Sequence, residues 1–190
     1  VIHAVSPHYS TLQKYDAKNY PKIIGDLAQS WKVSSDGLTY VFKIADGVRF
    51  HDGMPLTSAD IKASYERIAN PPAGIISARQ ALYQDLIGIE APDETTVIFR
   101  LKMPNASMLE NFASPYNCIY SAAKLKDNPR YPETEVMGSG AFKFVENVRG
   151  SHWTSERFNG YFRRGFPYLD GFKIFYVKSS AVVPGMHQPA

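Results

Sequence analysis

The side chains that most often carry out chemistry are sparse in this sequence and lie far apart. The candidate metal ligands and general bases are five single histidines, His3, His8, His51, His152 and His187. None has a second ligand three or four residues away on a convincing helix, the spacing that places two ligands on one helix face. In the turn His51-Asp52-Gly53, Asp52 is expected to bind the backbone of its own turn. The sequence therefore predicts no metal site.

Two residues are candidate nucleophiles, Ser139 and Cys118. The nucleophile elbow of serine hydrolases has a glycine two positions to either side of its serine, on a strand-to-helix turn. In Gly138-Ser139-Gly140 the glycines flank the serine directly and a strand signal follows, which favours backbone flexibility at an interdomain crossing. A serine hydrolase that uses Ser139 with a distant histidine is a disfavoured alternative. Cys118 lies in an apolar stretch, which predicts a buried and inert thiol.

The charged residues favour neither a nucleic-acid surface nor a membrane surface. Lys and Arg number 21 against 18 Asp and Glu, a net charge of +3, and no dense basic run occurs. Arg157 and the pair Arg163-Arg164 form a small basic patch near Tyr161 and Phe162. This patch could hold an acidic group, but a solvated loop face is the favoured interpretation. No run approaches the roughly 20 apolar residues of a membrane helix, and no signal peptide is recognised in the sequence.

Composition is typical of a globular protein except for its aromatic residues. The 190 residues are 44% hydrophobic, enough for one domain or a domain with a small companion. Tyr (12), Phe (11) and Trp (2) make up 13% of the chain, and tyrosine suits half-buried sheets and pocket walls. Trp31 and Trp153 are expected to be core anchors. The single cysteine excludes an internal disulfide, and no glycine-rich phosphate loop is found, so no cofactor is predicted.

Strand signals are distributed along the whole chain. The clearest runs from Leu38 to Phe50, where alternation on both sides of Asp46-Gly47 predicts a β-hairpin. Other strands or extended segments are predicted at Ile89–Ala91, Thr96–Lys102, Ala113–Tyr120, Ala141–Val145, His152–Arg157 and Phe172–Val177.

Helix signals are short and fall between these strands. Thr57 and Asp60 form a start like a capping box, and Asn70-Pro71-Pro72 ends that helix. Further helices are predicted within Val1–Asp16, Ala73–Gly88, Ala106–Phe112 and Ala122–Lys126, with a loop or hinge at Asp127–Glu135. The irregular order predicts an α+β fold with mixed, mostly antiparallel sheets and short helices.

Several blocks of the sequence resemble the bacterial extracellular solute-binding proteins of family 5, which include the oligopeptide-, dipeptide- and nickel-binding components of ABC importers. The blocks occur in the order of the family and span residues 24 to about 177. They are Leu27–Ile44, Gly47–Ile61, Gly138–Phe142, Glu156–Phe162 and Pro167–Phe172. Ser139, Ala141 and Phe162 replace the threonine, proline and tryptophan usual in the family, and Ala45 stands where a basic residue is common.

The resemblance implies a partial fold of the type II periplasmic-binding-protein kind. Family members are longer and have two lobes, and this chain is similar only to their N-terminal part. Residues 1–13 and 138–180 would then belong to lobe I, residues 14–137 would form the extra α+β subdomain appended to it, and residues 181–190 would be a tail. Lobe II lies outside this sequence.

The resemblance also implies the function. The intact receptor would capture a solute, an oligopeptide before other small solutes, in the cleft between its lobes and deliver it to the membrane subunits of an ABC importer, without catalysis. Its location would be periplasmic, or extracellular with a lipid anchor. By family position, Ser114, Tyr116 and Asn117 are predicted ligand contacts facing the cleft; the alternative is that Tyr116 packs in the subdomain core and the polar pair binds a turn. A stand-alone interaction or scaffold module derived from the same family is the other alternative.

Overall fold

The structure is a computed structural model that describes residues 2–177. It contains three antiparallel sheets, in the strand orders β1-β2, β3-β4-β6-β5 and β7-β8-β9. The strands are β1 (Gln13–Tyr15), β2 (Ile23–Gly25), β3 (Ala28–Val33), β4 (Thr39–Ile44), β5 (Leu86–Asp93), β6 (Thr96–Leu101), β7 (Phe142–Val148), β8 (His152–Arg157) and β9 (Gly171–Phe175). The helices are α1 (Ile2–Val5), α2 (Ser58–Ala69), α3 (Met108–Phe112) and α4 (Ala122–Asp127). The α+β class with antiparallel sheets is confirmed.

The larger sheet, β3-β4-β6-β5, carries the main core on one face. Along β4 the buried side chains of Tyr40, Phe42 and Ile44 alternate with more exposed ones, as a half-buried strand requires. Phe42 stands opposite Trp31 on β3 and Val97 on β6. Helix α2 packs against β5 and β6, so the core lies between the apolar face of the helix and the apolar face of the sheet.

The predicted hairpin over Leu38–Phe50 is wrong. The strand signal at its start is real, but β4 pairs with β3 and β6 and not with residues 48–50. Phe50 N–H donates to Met54 O at 2.8 Å, so residues 48–50 fold back on residues 54–56 around the next turn. Strand β3 was not predicted, because most of its side chains are exposed and apolar alternation is weak there.

Helix α2 confirms the predicted start and end. The Asp60 carboxylate accepts a hydrogen bond from the backbone N–H of Thr57 at 2.7 Å, the reciprocal contact of a capping box. Ile61, Tyr65 and Ile68 are buried on the face toward the larger sheet. The helix ends at Ala69, directly before Asn70-Pro71-Pro72.

The helix predicted over Ala73–Gly88 is wrong. Only Gln80–Tyr83 forms a single 3-10 turn, and Gly88 lies inside β5 instead of capping a helix. Gly74, the second residue of the segment, adopts a φ of +78°, a left-handed backbone conformation that no right-handed helix can contain. Leu82, on the expected apolar stripe of Ile75, Ala78, Leu82 and Leu86, is 44% exposed.

The N-terminal segment is helical for less of its length than the spacing of its apolar residues predicts. Helix α1 is followed by a 3-10 turn at Ser6–His8, which contains Pro7, and β1 begins at Gln13. Tyr9 and Leu12 are buried as expected, but from an extended backbone.

The remaining elements are mostly as predicted. Helices α3 and α4 and strands β5 to β9 are present, although β9 ends at Phe175. The extended segment predicted at Ala113–Tyr120 is a turn followed by irregular chain, with Asn117 N–H donating to Ser114 O at 3.1 Å. The loop at Asp127–Glu135 contains a 3-10 turn in which Tyr131 is buried. The predicted tail lies outside the described residues. Within residues 2–177, no helix has the length and apolar character needed to cross a bilayer.

Candidate functional site

A groove of about 260 Å³ lies where the N-terminal segment, the residues around β1 and β2, the turn after α3 and the start of β7 meet. Its walls come from segments far apart in the chain, so it exists only in the folded protein. It is lined by Ser6, Pro7, Tyr9, Thr11, Lys14, Asp26, Pro115, Cys118, Gly140, Ala141 and Tyr161. Most of this surface is apolar or aromatic, with charges at one end, which is the usual composition of a small-molecule site.

The charged end of the groove is a carboxylate held by two cations. Asp26 lies between β2 and β3, and its side chain is 8% exposed. Its Oδ1 pairs with Lys14 Nζ at 2.8 Å and with the Arg163 guanidinium at 3.0 Å, and its Oδ2 accepts from Thr11 N–H at 2.9 Å. A buried carboxylate needs such partners, because an unpaired one would carry a large desolvation cost.

This arrangement changes the interpretation of the predicted basic patch. Arg163 is not on a solvated loop face: it also donates to the backbone oxygens of Gly25 and Asp26. Arg157 pairs with Asp170 at 2.8 Å and donates to the Tyr168 carbonyl. Both guanidinium groups therefore hold loops in place.

Two tyrosines form the aromatic wall. The Tyr9 ring packs edge-on against Tyr120 with centroids 5.3 Å apart, and its hydroxyl accepts from Met137 N–H at 3.2 Å. Burial raises the pKa of Tyr9 well above its usual value. Burial, together with the nearby Asp26 charge, raises the pKa of Tyr161 to about 12. Both hydroxyls are therefore neutral donors and acceptors at physiological pH.

The opposite wall contains Pro115 and Cys118. Burial raises the pKa of the Cys118 thiol to about 11, well above its ordinary value. The thiolate, which is the reactive form, is therefore scarce at neutral pH. The predicted burial of the thiol is confirmed.

The glycines of Gly138-Ser139-Gly140 serve close packing, so the prediction of a flexible crossing is wrong. A Cβ on Gly138 would lie 2.2 Å from His8 O, and one on Gly140 would lie 2.4 Å from Pro7 O. Gly140 N–H donates to His8 O at 2.9 Å, and the backbone of Gly138 binds His51. Glycine is required here because two backbones touch.

Ser139 lacks the surroundings of a nucleophile. Its residue is 1% exposed, and its Oγ has no hydrogen-bond partner among the described residues. The nearby His51 uses Nε2 on the Gly140 carbonyl at 3.0 Å instead. Without a base on its hydroxyl, Ser139 is not activated.

A buried Ser–His contact that the sequence does not predict joins the N-terminal segment to β8. His8 Nε2 is 2.8 Å from Ser155 Oγ, and Trp153 Nε1–H donates to the same oxygen at 3.0 Å. His8 Nδ1 lies 3.0 Å from the Val5 carbonyl, so it carries the proton and Nε2 accepts from Ser155. Desolvation lowers the pKa of His8 to about 4. Both residues are buried, so the contact fixes the N-terminal segment on β8 and does not face a substrate.

The sequence contained only indirect signals for this contact. His8 follows a proline, and Trp153 and Ser155 are two residues apart on one face of β8, but nothing local joins residue 8 to residue 155.

No group of three or more His, Cys, Asp or Glu side chains is placed to hold a metal within residues 2–177. Asp52 accepts from Met54 N–H at 3.0 Å, which confirms that it binds the backbone of its turn.

The three predicted ligand contacts lie in different environments. Tyr116 is 51% exposed and follows Pro115, which lines the groove, but Tyr116 itself is not among the lining residues. Ser114 Oγ accepts from Tyr116 N–H at 3.4 Å. Asn117 is fully buried, and its Nδ2 donates to Tyr83 Oη at 2.8 Å and to Asn111 O at 2.7 Å. Contact of these residues with a solute remains a prediction.

Comparison with known proteins gives a consistent match. The family model for bacterial extracellular solute-binding proteins, family 5, matches residues 22–186. The chain is 35% identical over 149 residues to the glutathione-binding protein of Pectobacterium atrosepticum, covering 78% of this chain and 29% of that protein. It is 34% identical over 169 residues to a putative ABC transporter peptide-binding protein of Brucella ovis, covering 86% and 31% respectively.

Solved structures agree with the sequence relatives. The agropinic-acid complex of a binding protein from A. tumefaciens R10 has a TM-score of 0.86 at 32% identity, covering 97% of this chain and 36% of that one. The oligopeptide-binding protein of Bacillus subtilis, solved with a nonapeptide, has a TM-score of 0.85 at 29% identity, covering 95% and 36%. The chain thus spans about a third of the length of these proteins.

Proposed function

The chain belongs to the bacterial extracellular solute-binding proteins of family 5, and from this membership we propose that it contributes one wall of an oligopeptide-binding cleft in an ABC importer receptor. Peptide and glutathione binding by the relatives supports this choice, since glutathione is itself a tripeptide. Members of this family bind solutes and are not enzymes.

The groove carries the proposal. Pockets that enclose a small ligand usually measure about 300–1,000 Å³, and the groove, at about 260 Å³, is smaller. Its aromatic wall and its charged end at Asp26 supply the two kinds of surface that a peptide presents to a receptor. A second lobe closing over it would complete the enclosure.

We also propose the division of the chain that the family resemblance implies. Residues 14–137 would be the extra subdomain, and residues 1–13 and 138–180 would belong to lobe I. The Asp26–Arg163 pair would then join the two parts beside the cleft, at 3.0 Å.

Within the cleft, Tyr116 is the proposed direct contact, because half of its side chain is exposed and it follows Pro115, which lines the groove. Ser114 would orient Tyr116 through the hydrogen bond to its backbone. Asn117, fully buried behind the wall, would act by holding the turn in position through Tyr83. This assigns the three predicted contacts different roles.

The proposed partners are the membrane subunits of an ABC importer, and the proposed location is periplasmic or, with a lipid anchor, extracellular. The two alternatives find less support. A hydrolase using Ser139 lacks a base on the serine hydroxyl among the described residues. A stand-alone scaffold module would not need a groove lined by five separate parts of the chain.

The test uses the polypeptide purified from its native source. Its intact mass is measured first, and isothermal titration calorimetry with trialanine, tetra-alanine and glutathione follows. We expect a mass well above the 21.3 kDa of this chain and saturable binding of at least one of these peptides. A native mass equal to that of this chain, or the absence of binding to all three peptides, contradicts the proposal. Low-micromolar binding by the 190-residue chain alone would contradict the assignment of most of the site to a second lobe.

A further inference from the structure

A second groove, which we call the helix groove, lies between α2 and α4. Its volume is about 260 Å³, and none of its lining residues lines the groove beside the N-terminal segment. On each helix the lining residues stand at positions i, i+3 and i+4, the spacing that places side chains on one helix face. They are Ala63, Glu66 and Arg67 on α2 and Ala122, Leu125 and Lys126 on α4. The helix groove is therefore built from two facing helices.

Buried hydrogen bonds fix α4 against α2. The Asp60 carboxylate, which caps α2, also accepts from Ala122 N–H at 2.8 Å. Ser64 Oγ accepts from Tyr120 N–H at 2.8 Å, just before α4 begins. Asp60 and Ser64 are both buried, so water does not compete for these bonds. The spacing between the two walls of the helix groove is thus set by the protein itself.

Two arginines fix the loops at the rim of the helix groove. Pro72 and Pro129 line it from the loops that follow α2 and α4. Arg67 donates from Nε and Nη2 to the Pro129 carbonyl at 3.3 and 3.2 Å. Arg130 donates to the carbonyl of Gly74, in the loop that carries Pro72. Because these bonds hold both loops in place, the groove is preorganised, which lowers the cost of ordering it around a ligand.

The charges at the helix groove favour an anionic ligand. Glu66 is paired with Lys62, with Nζ and Oε1 3.4 Å apart. Neither Arg67 nor Lys126 forms an ion pair with a carboxylate within residues 2–177. The remaining lining side chains of the two helices are apolar, those of Ala63, Ala122 and Leu125 among them. An apolar groove beside two cations is complementary to an apolar molecule that carries one negative charge.

The surroundings of the helix groove favour a small molecule over a protein partner. Ion pairs occupy the nearby surface, Lys124 with Glu135 at 2.6 Å and Arg130 with Glu133 at 3.1 Å. Among residues 58–72 and 121–135, no large apolar side chain is exposed. A stable protein interface buries about 800 Å² on each partner around an apolar core. The apolar surface here is confined to the groove, so it suits a ligand of the size of one aromatic ring.

We propose that the helix groove is a second binding site of this protein, separate from the cleft, and that it takes a small apolar carboxylate. The apolar part of the ligand lies against Ala63, Ala122 and Leu125, between the two rim loops. Its carboxylate pairs with Lys126 and Arg67.

The test titrates phenylacetate into the natively purified receptor by isothermal titration calorimetry, with phenylacetamide and acetate as matched probes. Phenylacetamide keeps the ring without the charge, and acetate keeps the charge without the ring. We expect saturable binding of phenylacetate, about 10-fold tighter than binding of either matched probe. The absence of saturable phenylacetate binding overturns the proposal, and so does equal binding of phenylacetate and either matched probe.

Three variants of the same receptor locate the site. Ala63→Leu fills the helix groove with a residue that favours helix, so it should abolish phenylacetate binding. Lys126→Gln removes one exposed cation and should weaken binding about 3-fold. Lys32→Gln, at an exposed position of β3, is the matched control and should bind phenylacetate as the wild type does. Circular dichroism checks that each variant is folded. Phenylacetate binding that is unchanged in Ala63→Leu or in Lys126→Gln places the ligand elsewhere and overturns the proposal.

Discussion

The larger sheet and the smaller sheet, β7-β8-β9, bury their apolar side chains to very different extents. Phe42, Phe99 and Phe112 in and above the larger sheet are 0% exposed. On the smaller sheet, Val145 and Phe175 are about half exposed, at 48% and 52%. The larger sheet and α2 therefore hold their own core, whereas the smaller sheet depends on contacts with other parts of the chain.

Those contacts are few and join residues far apart in the chain. His8 binds Ser155 on β8 and packs edge-on against Trp153 with centroids 5.6 Å apart. The backbone at Gly140 touches the backbone at Pro7 and His8, and Arg163 reaches Asp26. The larger sheet is therefore stabilised by burial and the smaller sheet by a few specific contacts, and this difference can be tested.

The largest loss of stability is expected for a substitution in the core of the larger sheet. Phe112 contacts the rings of Phe99 and Phe42, with centroids 4.6 and 5.2 Å away, and is fully buried. Phe112→Ala should lower the free energy of unfolding by about 3–5 kcal/mol, because a large cavity forms among rings that cannot collapse into it. Urea denaturation measures the change.

The matched control is the same substitution on the smaller sheet. Phe175 is 52% exposed at the end of β9, so Phe175→Ala should cost less than about 1 kcal/mol. Equal losses at the two positions would contradict the comparison, since they would mean that β9 is buried as deeply as the larger sheet.

The burial of the larger sheet was largely predictable from sequence, and its pairing was not. Alternation of Tyr40, Phe42 and Ile44 with polar or smaller residues identified β4 and its buried face. Its partner β3 exposes most of its side chains, so it has no periodic apolar signal, and the pattern instead favours the nearer residues 48–50 as the partner of β4. The local pattern of apolar residues identifies a strand. Which strand pairs with it depends on packing across the whole domain.

The second prediction concerns the histidine that anchors the smaller sheet. Desolvation lowers the pKa of His8 from 6.5 to about 4 in the folded protein. Well above pH 6.5 the ring is neutral in both states, so it gives no pH dependence there. Between pH 6.5 and 4 the unfolded chain takes up a proton that the folded chain excludes. The free energy of unfolding should therefore fall by about 3 kcal/mol across this interval because of His8.

Urea denaturation at several pH values in wild type and His8→Gln isolates this contribution. The variant keeps hydrogen-bonding groups but has no ring to titrate, so its stability should depend less steeply on pH. Burial also lowers the pKa of His51, and the carboxylates titrate as well, but both contributions are common to the two proteins. Parallel curves for the two proteins would show that protonation of His8 does not oppose folding.

The third prediction tests the backbone contact at the base of the smaller sheet. A Cβ on Gly140 would lie 2.4 Å from Pro7 O, so the two backbones must separate to accept it. Gly140→Ala should destabilise the protein by about 1–3 kcal/mol. Gly88→Ala on β5 is the control, because nothing lies within 4 Å of the Cβ it would add. A Gly140→Ala protein as stable as Gly88→Ala would show that the contact is loose.

The same glycine explains why the site could be predicted only in part. The family-like block around Gly138 to Phe142 was recognised, but its two glycines signalled flexibility when read alone. Their real reason, a backbone 130 residues earlier in the chain, is a tertiary contact with no local signature. Asn117 is predicted as a ligand contact from its family position, and only packing shows that its side chain is fully buried against Tyr83.

The smallest loss of stability is expected at the ion pair between Arg163 and Asp26, which links the two regions. Arg163 is 35% exposed, so its ion pair with Asp26 is partly screened by solvent, and Asp26 keeps Lys14 and the Thr11 N–H when Arg163 is removed. Arg163→Gln should therefore lower the free energy of unfolding by only about 1 kcal/mol. The neighbouring exposed Arg164 provides the matched control, and Arg164→Gln should change stability by less than about 0.5 kcal/mol.

A double-mutant cycle decides whether this small loss reflects the link itself. If Arg163 acts through the Asp26 carboxylate, Arg163→Gln and Asp26→Asn together should cost less than the sum of the two single changes, since the second substitution has no ion pair left to break. Additive losses would mean that Arg163 acts through the Gly25 and Asp26 carbonyls alone. Either way the effect should stay well below that of Phe112→Ala, because a contact half open to water cannot stabilise a fold as a closed aromatic core does.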